Sequence, residues 1–182
     1  MGDDFERFLV LFYQGEVAGE VFMRNLAEGV SSPEHERKLR VVEELERTMQ
    51  GRVADVMRKR GLEPREDEAY TRQLAAYGTQ LGSLGWDELM KALSSPPDEF
   101  ERTAWAEELV SVLARVTEET APPDGRAIFR EMTAHAAVTQ AFIEAELRGD
   151  SGNTTQPIED FLKAIKTPEL SNKEHSRADY ES

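Results

Sequence analysis

Apolar residues recur at three- and four-residue steps through long segments of this chain, and that spacing places them on one face of an α-helix. The first segment predicts a helix from about Phe5 to Glu28, followed by Gly29, where a helix can end. The second predicts a helix that begins at Ser32-Pro33, a cap followed by proline in the first turn, and closes at Gly61. The short link between them predicts an antiparallel hairpin.

The second half of the chain repeats this arrangement. Ser95-Pro96 repeats the cap-then-proline signal and predicts a third helix that runs to about Glu119, before Pro122-Pro123 interrupts the pattern. A fourth helix is predicted from about Asp124 to Arg148, and Gly149 ends it. These two helices again have a short link and should form a second hairpin.

Between the hairpins the pattern is weaker. Residues 62–95 predict a connecting segment with shorter helices over about Asp67 to Leu81 and Trp86 to Leu93. The order predicts an all-α fold: an antiparallel four-helix bundle over residues 1–149, two hairpins joined by a long, partly helical crossover. Residues 150–182 are mostly polar and predict a surface extension followed by a largely disordered tail.

Composition narrows the class of protein. A length of 182 residues with 39% hydrophobic content predicts one domain. No run approaches the ~18 apolar residues of a membrane span, and the acidic start lacks the basic region of a signal peptide, so we expect a cytoplasmic protein with no membrane partner. The absence of cysteine excludes thiolate metal sites, and a net charge of −14 disfavours nucleic acid.

Two glutamates interrupt the apolar stripes in the first hairpin. Glu16 lies in the stripe of the first predicted helix and Glu46 in that of the second, with Glu43 one turn earlier at its edge. An ionised carboxylate is costly to bury without a partner. Two of them at matching depth therefore indicate a shared ligand, and a cation is the simplest one.

The second hairpin supplies comparable residues. Glu107 lies between Ala104 and Val110 on the third predicted helix, and His135 is framed by apolar residues on the fourth, with Glu108 and Glu131 as alternates. Counted from the hairpin links, Glu16, Glu46, Glu107 and His135 are each about three to four turns away, so all four are expected to meet at one level. Carboxylates with imidazole suit iron or manganese and leave open positions for dioxygen.

The stretch Gly15-Glu16-Val17-Ala18-Gly19-Glu20, followed by an acidic second helix, resembles the ligand-bearing helices of ferritin-like di-iron carboxylate proteins. The resemblance spans about Phe5 to Gly149. It implies one glutamate from each of two helices and a Glu-x-x-His pair from each of the others. On that template Glu16 and either Glu107 or Glu108 are the single glutamates, Glu20 is an alternate, and Glu46 and His135 belong to the pairs.

The chain departs from this template in both pairs. Met49 stands three residues after Glu46, where the template has histidine, and Met132 stands three residues before His135, where it has glutamate. Glu43 and Glu131 could substitute, so both a di-metal and a mono-metal site stay open. The resulting hypothesis is a metal-binding protein and non-haem iron or manganese oxidoreductase that acts on dioxygen, peroxide or a small substrate.

Two other hypotheses explain the same residues. The first is a non-catalytic helical interaction module, which could act as a homodimer. In that case the carboxylates would be exposed or paired with arginine, and His135 would be a core residue hydrogen bonded to a carboxylate or a backbone carbonyl. In a metal-free enzyme, the centre of the bundle would hold an apolar cavity for a small organic ligand. Convergence of the four side chains within about 4–5 Å of a common point would favour metal.

Overall fold

The computed structural model describes residues 2–95 and 104–166, and that part of the chain contains helices and no strand, which confirms the all-α prediction. The α-helices are α1 (Gly2–Gly29), α2 (Pro33–Lys59), α3 (Glu68–Leu81), α4 (Trp86–Ser94), α5 (Ala104–Leu113), α6 (Arg126–Arg148) and α7 (Gln156–Lys166), and a 3₁₀ turn spans Pro123–Gly125. Within the described residues, no helix has the combination of length and apolar character needed to cross a membrane.

Local capping sets the helix boundaries that the sequence predicted. The side-chain oxygen of Ser32 accepts a hydrogen bond from the backbone N–H of His35 at 3.4 Å, which caps α2. Gly61 and Gly149 have φ values of 75° and 70°, a left-handed conformation that glycine adopts without steric cost. These residues end α2 and α6 where the sequence indicated.

Side-chain pairs give the direction in which the long helices pack. Between α1 and α2, Glu28 pairs with Arg40, whereas Glu20, earlier in α1, pairs with Arg47, later in α2, so the two helices are antiparallel. Lys38 and Arg52 of α2 pair with Glu146 and Glu131 of α6 in the same antiparallel order. Arg7 of α1 pairs with Glu108 of α5, and Asp4, earlier in α1, pairs with Arg115, just beyond the end of α5, so these two helices are antiparallel as well. Helix α1 packs against both α2 and α5, and α6 packs against α2. Side chains of α6 also reach α1, since the ring centroids of Phe8 and Phe129 lie 5.5 Å apart.

The crossover between the two predicted hairpins also contributes to the packed core, because its helix α3 packs closely along α1. A Cβ atom added at Gly29 would lie 2.7 Å from the backbone of Gly82, and one at Gly78 would lie 2.8 Å from the carbonyl oxygen of Phe22. Glycine therefore allows the two helix backbones to approach to a distance that a larger residue prevents.

Gly78→Ala is expected to lower the free energy of unfolding by about 1–3 kcal/mol, because its methyl group meets backbone that cannot move aside. Chemical denaturation measures this effect. The matched control is Gly51→Ala in α2, where an added Cβ has no neighbour within 4 Å. That change should stabilise by about 0.5–1 kcal/mol through helix propensity. Equal effects at both positions would contradict the close α1–α3 packing.

The third predicted helix differs from the structure. Its predicted start at Ser95-Pro96 adjoins residues 96–103, which lie outside the described residues, and α5 ends at Leu113, not near Glu119. Beyond α5, Thr117 and Thr120 hydrogen bond to each other's backbone N–H groups through their hydroxyls. Threonine side chains that satisfy the backbone in this way compete with helix continuation.

Residues 150–182 also contain structure that the sequence analysis did not predict. Part of the polar extension forms α7, which packs on α6 and α2 with Ile158 and Leu162 buried. The apolar residues at helical spacing in this segment explain why it docks. The remaining residues of the predicted extension, 167–182, lie outside the described residues.

Candidate functional site

Glu16 of α1, Glu46 of α2 and His135 of α6 come together in the interior. Their side chains are buried, and one potential ligand atom from each lies within 4.8 Å of the other two. The Nε2 atom of His135 is 3.2 Å from Oε1 of Glu46, a hydrogen-bond distance, and its Nδ1 atom is 3.7 Å from Oε1 of Glu16. The two ring nitrogens of His135 therefore face different carboxylates.

Small residues on α1 make room for this group. A Cβ atom at Gly19 would lie 2.7 Å from Oε2 of Glu46, and one at Gly15 would lie 2.9 Å from the indole ring of Trp105. Both distances are shorter than real contacts allow. The two glycines therefore let the Glu46 carboxylate and the Trp105 ring reach the surface of α1 on either side of Glu16.

The electrostatic environment is unfavourable for two ionised carboxylates. Burial, together with the nearby charge of Glu46, raises the pKa of Glu16 well above its usual value. Among the ion pairs of the described residues, those of Glu16 and Glu46 go only to His135. Oε2 of Glu16 is buried without a hydrogen-bond partner. Such an oxygen is uncommon in a protein interior.

The group borders a cavity of about 370 Å³. Most of its other lining side chains are apolar or aromatic, and they are Phe12, Tyr70, Trp105, Leu109, Ala136 and Ile143. Tyr70 stacks on Trp105 with ring centroids 4.5 Å apart and an angle of 15° between the rings. Burial, with smaller contributions from Asp67 and Glu46, raises the pKa of Tyr70, so its hydroxyl stays protonated near neutral pH.

Glu107 is the predicted residue that does not join the group. It is exposed on α5, because the inward face of that helix is formed by Trp105, Leu109 and Val112. The stripe on which Glu107 was placed faces outward, with Val110 67% exposed. Two positions separate Glu107 from Trp105, a rotation of about 200°, which puts it on the opposite side of the helix.

The alternate residues are all engaged with arginine. Glu20 and Glu43 form an ion-pair network with Arg24 and Arg47, and Glu43 also pairs with Arg40. Burial alone would raise the pKa of Glu43, but hydrogen bonds from Arg40 and Arg24 hold it below its usual value. Glu108 pairs with Arg7, and Glu131 pairs with Arg52 through two contacts of 2.5 Å each. These four carboxylates stabilise helix packing.

Sequence reasoning missed the residues that shape the cavity. Trp105, Tyr70 and Thr139 were not among the residues predicted to form the site. Tyr70 comes from the crossover, whose position against α1 depends on tertiary packing. For Trp105 a signal was present, because Trp105, Leu109 and Val112 repeat at helical spacing on one face of α5.

Comparisons with known protein families, curated proteins and solved structures found no match for this chain. The class is therefore defined by fold and site alone. It is an all-helical protein with a buried group of two carboxylates and an imidazole at the edge of a mainly apolar cavity.

Proposed function

We propose that this protein binds one divalent metal ion, iron or manganese, through Glu16, Glu46 and His135. The observation that carries the proposal is the convergence of two buried carboxylates on one imidazole, with no arginine or lysine among their ion pairs in the described residues and with Oε2 of Glu16 unpartnered. A divalent cation would neutralise both carboxylates and bond to the unpartnered oxygen.

The donor set and its spacing fit such an ion. Bonds of about 2.1 Å hold three donor atoms on average at most about 3.6 Å apart, so a group within 4.8 Å needs side-chain shifts of about an ångström. Oxygen and imidazole donors without sulfur suit manganese and non-haem iron. Three protein ligands leave positions open toward the cavity, where a bound iron or manganese ion would supply redox chemistry with dioxygen.

We further propose a mono-metal site in a ferritin-like four-helix arrangement, which would make the protein a non-haem oxidoreductase. The antiparallel pairing of α1 with α2, α1 with α5 and α2 with α6 supports that arrangement. One ion is favoured over two, because Glu43 and Glu131, which would complete a second set of ligands, are paired with arginine. The interaction-module alternative accounts for these paired carboxylates but leaves Oε2 of Glu16 unexplained.

Metal analysis tests the proposal. Protein produced with iron and manganese in the medium should retain close to one equivalent of metal per chain after desalting, measured by plasma mass spectrometry. The double variant Glu16→Gln/Glu46→Gln should retain none while keeping its helical circular dichroism spectrum. Metal-free wild-type protein that also fails to take up either ion in titration would reject the proposal.

Gly19→Ala should weaken Mn²⁺ binding by about 10-fold, the size of effect seen when the support of a metal ligand is disturbed. The added methyl group would overlap Oε2 of Glu46 at 2.7 Å, and the carboxylate, as the end of a side chain, can move away. Stability should change little, because the helix propensity of alanine offsets the displacement. Isothermal titration calorimetry and denaturation measure the two effects.

Gly51→Ala is again the matched control, since the same substitution in open space should leave the affinity for Mn²⁺ unchanged. An unchanged affinity in Gly19→Ala would mean that the position of the Glu46 carboxylate has no part in metal binding.

A further inference from the structure

The cavity beside Glu16 has the size and lining of a binding site for a small organic molecule. Its volume of about 370 Å³ falls in the range of small-molecule pockets, roughly 300–1,000 Å³. Four helices contribute the apolar or aromatic residues already named, and α2 contributes Glu46. A metal ion at the edge of the cavity would occupy a small part of this volume.

Unpartnered polar atoms are concentrated at this cavity. Five buried side-chain polar atoms in the described residues lack a hydrogen-bond partner, and three of them belong to residues that line it. They are Oε2 of Glu16, Nε1 of Trp105 and Oγ1 of Thr139. Buried polar groups are normally paired, so a cluster of exceptions around one cavity indicates a ligand that completes their hydrogen bonds.

The hydrogen-bonding capacity of these three atoms indicates which polar group the ligand carries. An indole N–H can only donate, so the ligand must accept a hydrogen bond from Trp105. The Thr139 hydroxyl and Oε2 of Glu16 can both accept, so the ligand should also donate. A hydroxyl group does both. An ammonium group has no acceptor, and an anion would meet the charge of Glu46.

The aromatic residues that line the cavity indicate which non-polar group the ligand carries. Tyr70 and Trp105 form a stack of two nearly parallel rings, with Leu109 and Ile143 also lining the cavity. A third aromatic ring packs favourably against such a pair in an edge-to-face arrangement, and at the edge of the indole a hydroxyl on that ring can lie in the indole plane, in which the N–H points. We propose that the cavity binds one small neutral aromatic molecule with a hydroxyl group, in which the ring contacts Tyr70 and Trp105 and the hydroxyl pairs with Trp105 and Thr139. This inference depends on the cavity itself and holds with or without a metal ion.

Nuclear magnetic resonance of the indole N–H groups tests it, with 4-methylphenol as the probe and toluene as the comparison lacking a hydroxyl. The chain has two tryptophans, and Trp105→Phe identifies their signals. In metal-free protein, 4-methylphenol should shift the Trp105 signal saturably with a dissociation constant of about 1 mM or lower. The Trp86 signal should stay in place, because its N–H already donates to Glu146 at 2.8 Å.

Thr139→Val keeps the side-chain shape and removes the hydroxyl, so it should weaken binding of 4-methylphenol by about 3- to 10-fold. The matched control is Thr133→Val on the same helix, since Thr133 is exposed and its hydroxyl donates to a backbone carbonyl. That variant should bind like wild type. The absence of a saturable Trp105 shift, equal affinity for toluene, or no effect of Thr139→Val would each overturn the proposal. Titration of the same samples with Mn²⁺ reports on the metal site separately.

Discussion

Replacing Glu46 by glutamine should lower the affinity of the protein for Mn²⁺ by at least about 100-fold. The change keeps the size of the side chain and an oxygen within reach of His135, but it removes the negative charge that a divalent ion needs. Altering a residue that only supports a metal ligand typically costs 10- to 100-fold, so loss of a direct ligand should cost at least the upper value. Isothermal titration calorimetry on protein treated with a chelator measures the affinity.

Glu107→Gln is the natural control for this experiment. It is the same chemical change at the third carboxylate that the sequence placed in the site, and that residue is exposed on α5. Wild-type affinity is expected for Glu107→Gln. Equal losses in both variants would show that Mn²⁺ binds to surface charge and not to the buried group.

Replacing Glu16 by glutamine should have opposite effects on metal binding and on stability. The variant should lose Mn²⁺ binding, but without metal it should be more stable than wild type at pH 7. The physical reason is that burial and the charge of Glu46 raise the pKa of Glu16 in the folded protein. Each tenfold decrease in its acid dissociation constant costs about 1.4 kcal/mol of stability at a pH where the unfolded chain is ionised.

The difference in stability between wild type and Glu16→Gln should depend on pH. At a pH below the usual value of 4.5, Glu16 is protonated in both states and costs nothing. As the pH rises from 4.5 to the raised pKa, the unfolded chain loses the proton that the folded protein keeps, so wild type loses stability relative to Glu16→Gln. Denaturation with urea between pH 4 and pH 8 measures the difference. A difference that does not change with pH would contradict the account of Glu16.

Much of the fold was predictable because its signals are local. Ser32, Gly61 and Gly149 act within one turn of their own position, and the structure uses them as the sequence indicated. The close packing of α3 on α1 was not predicted, because it depends on glycines 50 residues apart in the chain. The end of α5 was also missed, since a pair of threonine hydroxyls stops the helix and not a glycine or proline.

The candidate site, like the fold, was predictable only in part. Glu16, Glu46 and His135 interrupt regular apolar stripes in long helices, and helix geometry alone brings such residues to the interior. Glu107 failed because α5 offers two apolar stripes in sequence, and the contact of Trp105 with Gly15 decides which one faces inward. Which stripe of α5 faces inward depends on its packing against α1, so the sequence of α5 alone does not predict it.

The most direct test of the central claim is anomalous diffraction from crystals of the protein soaked in Mn²⁺. We expect one anomalous peak in the interior, bonded to a carboxylate oxygen of Glu16, a carboxylate oxygen of Glu46 and a ring nitrogen of His135 at about 2.0–2.3 Å. Peaks confined to surface carboxylates, with Nε2 of His135 still paired with Glu46 at 3.2 Å, would contradict the claim that this group binds metal.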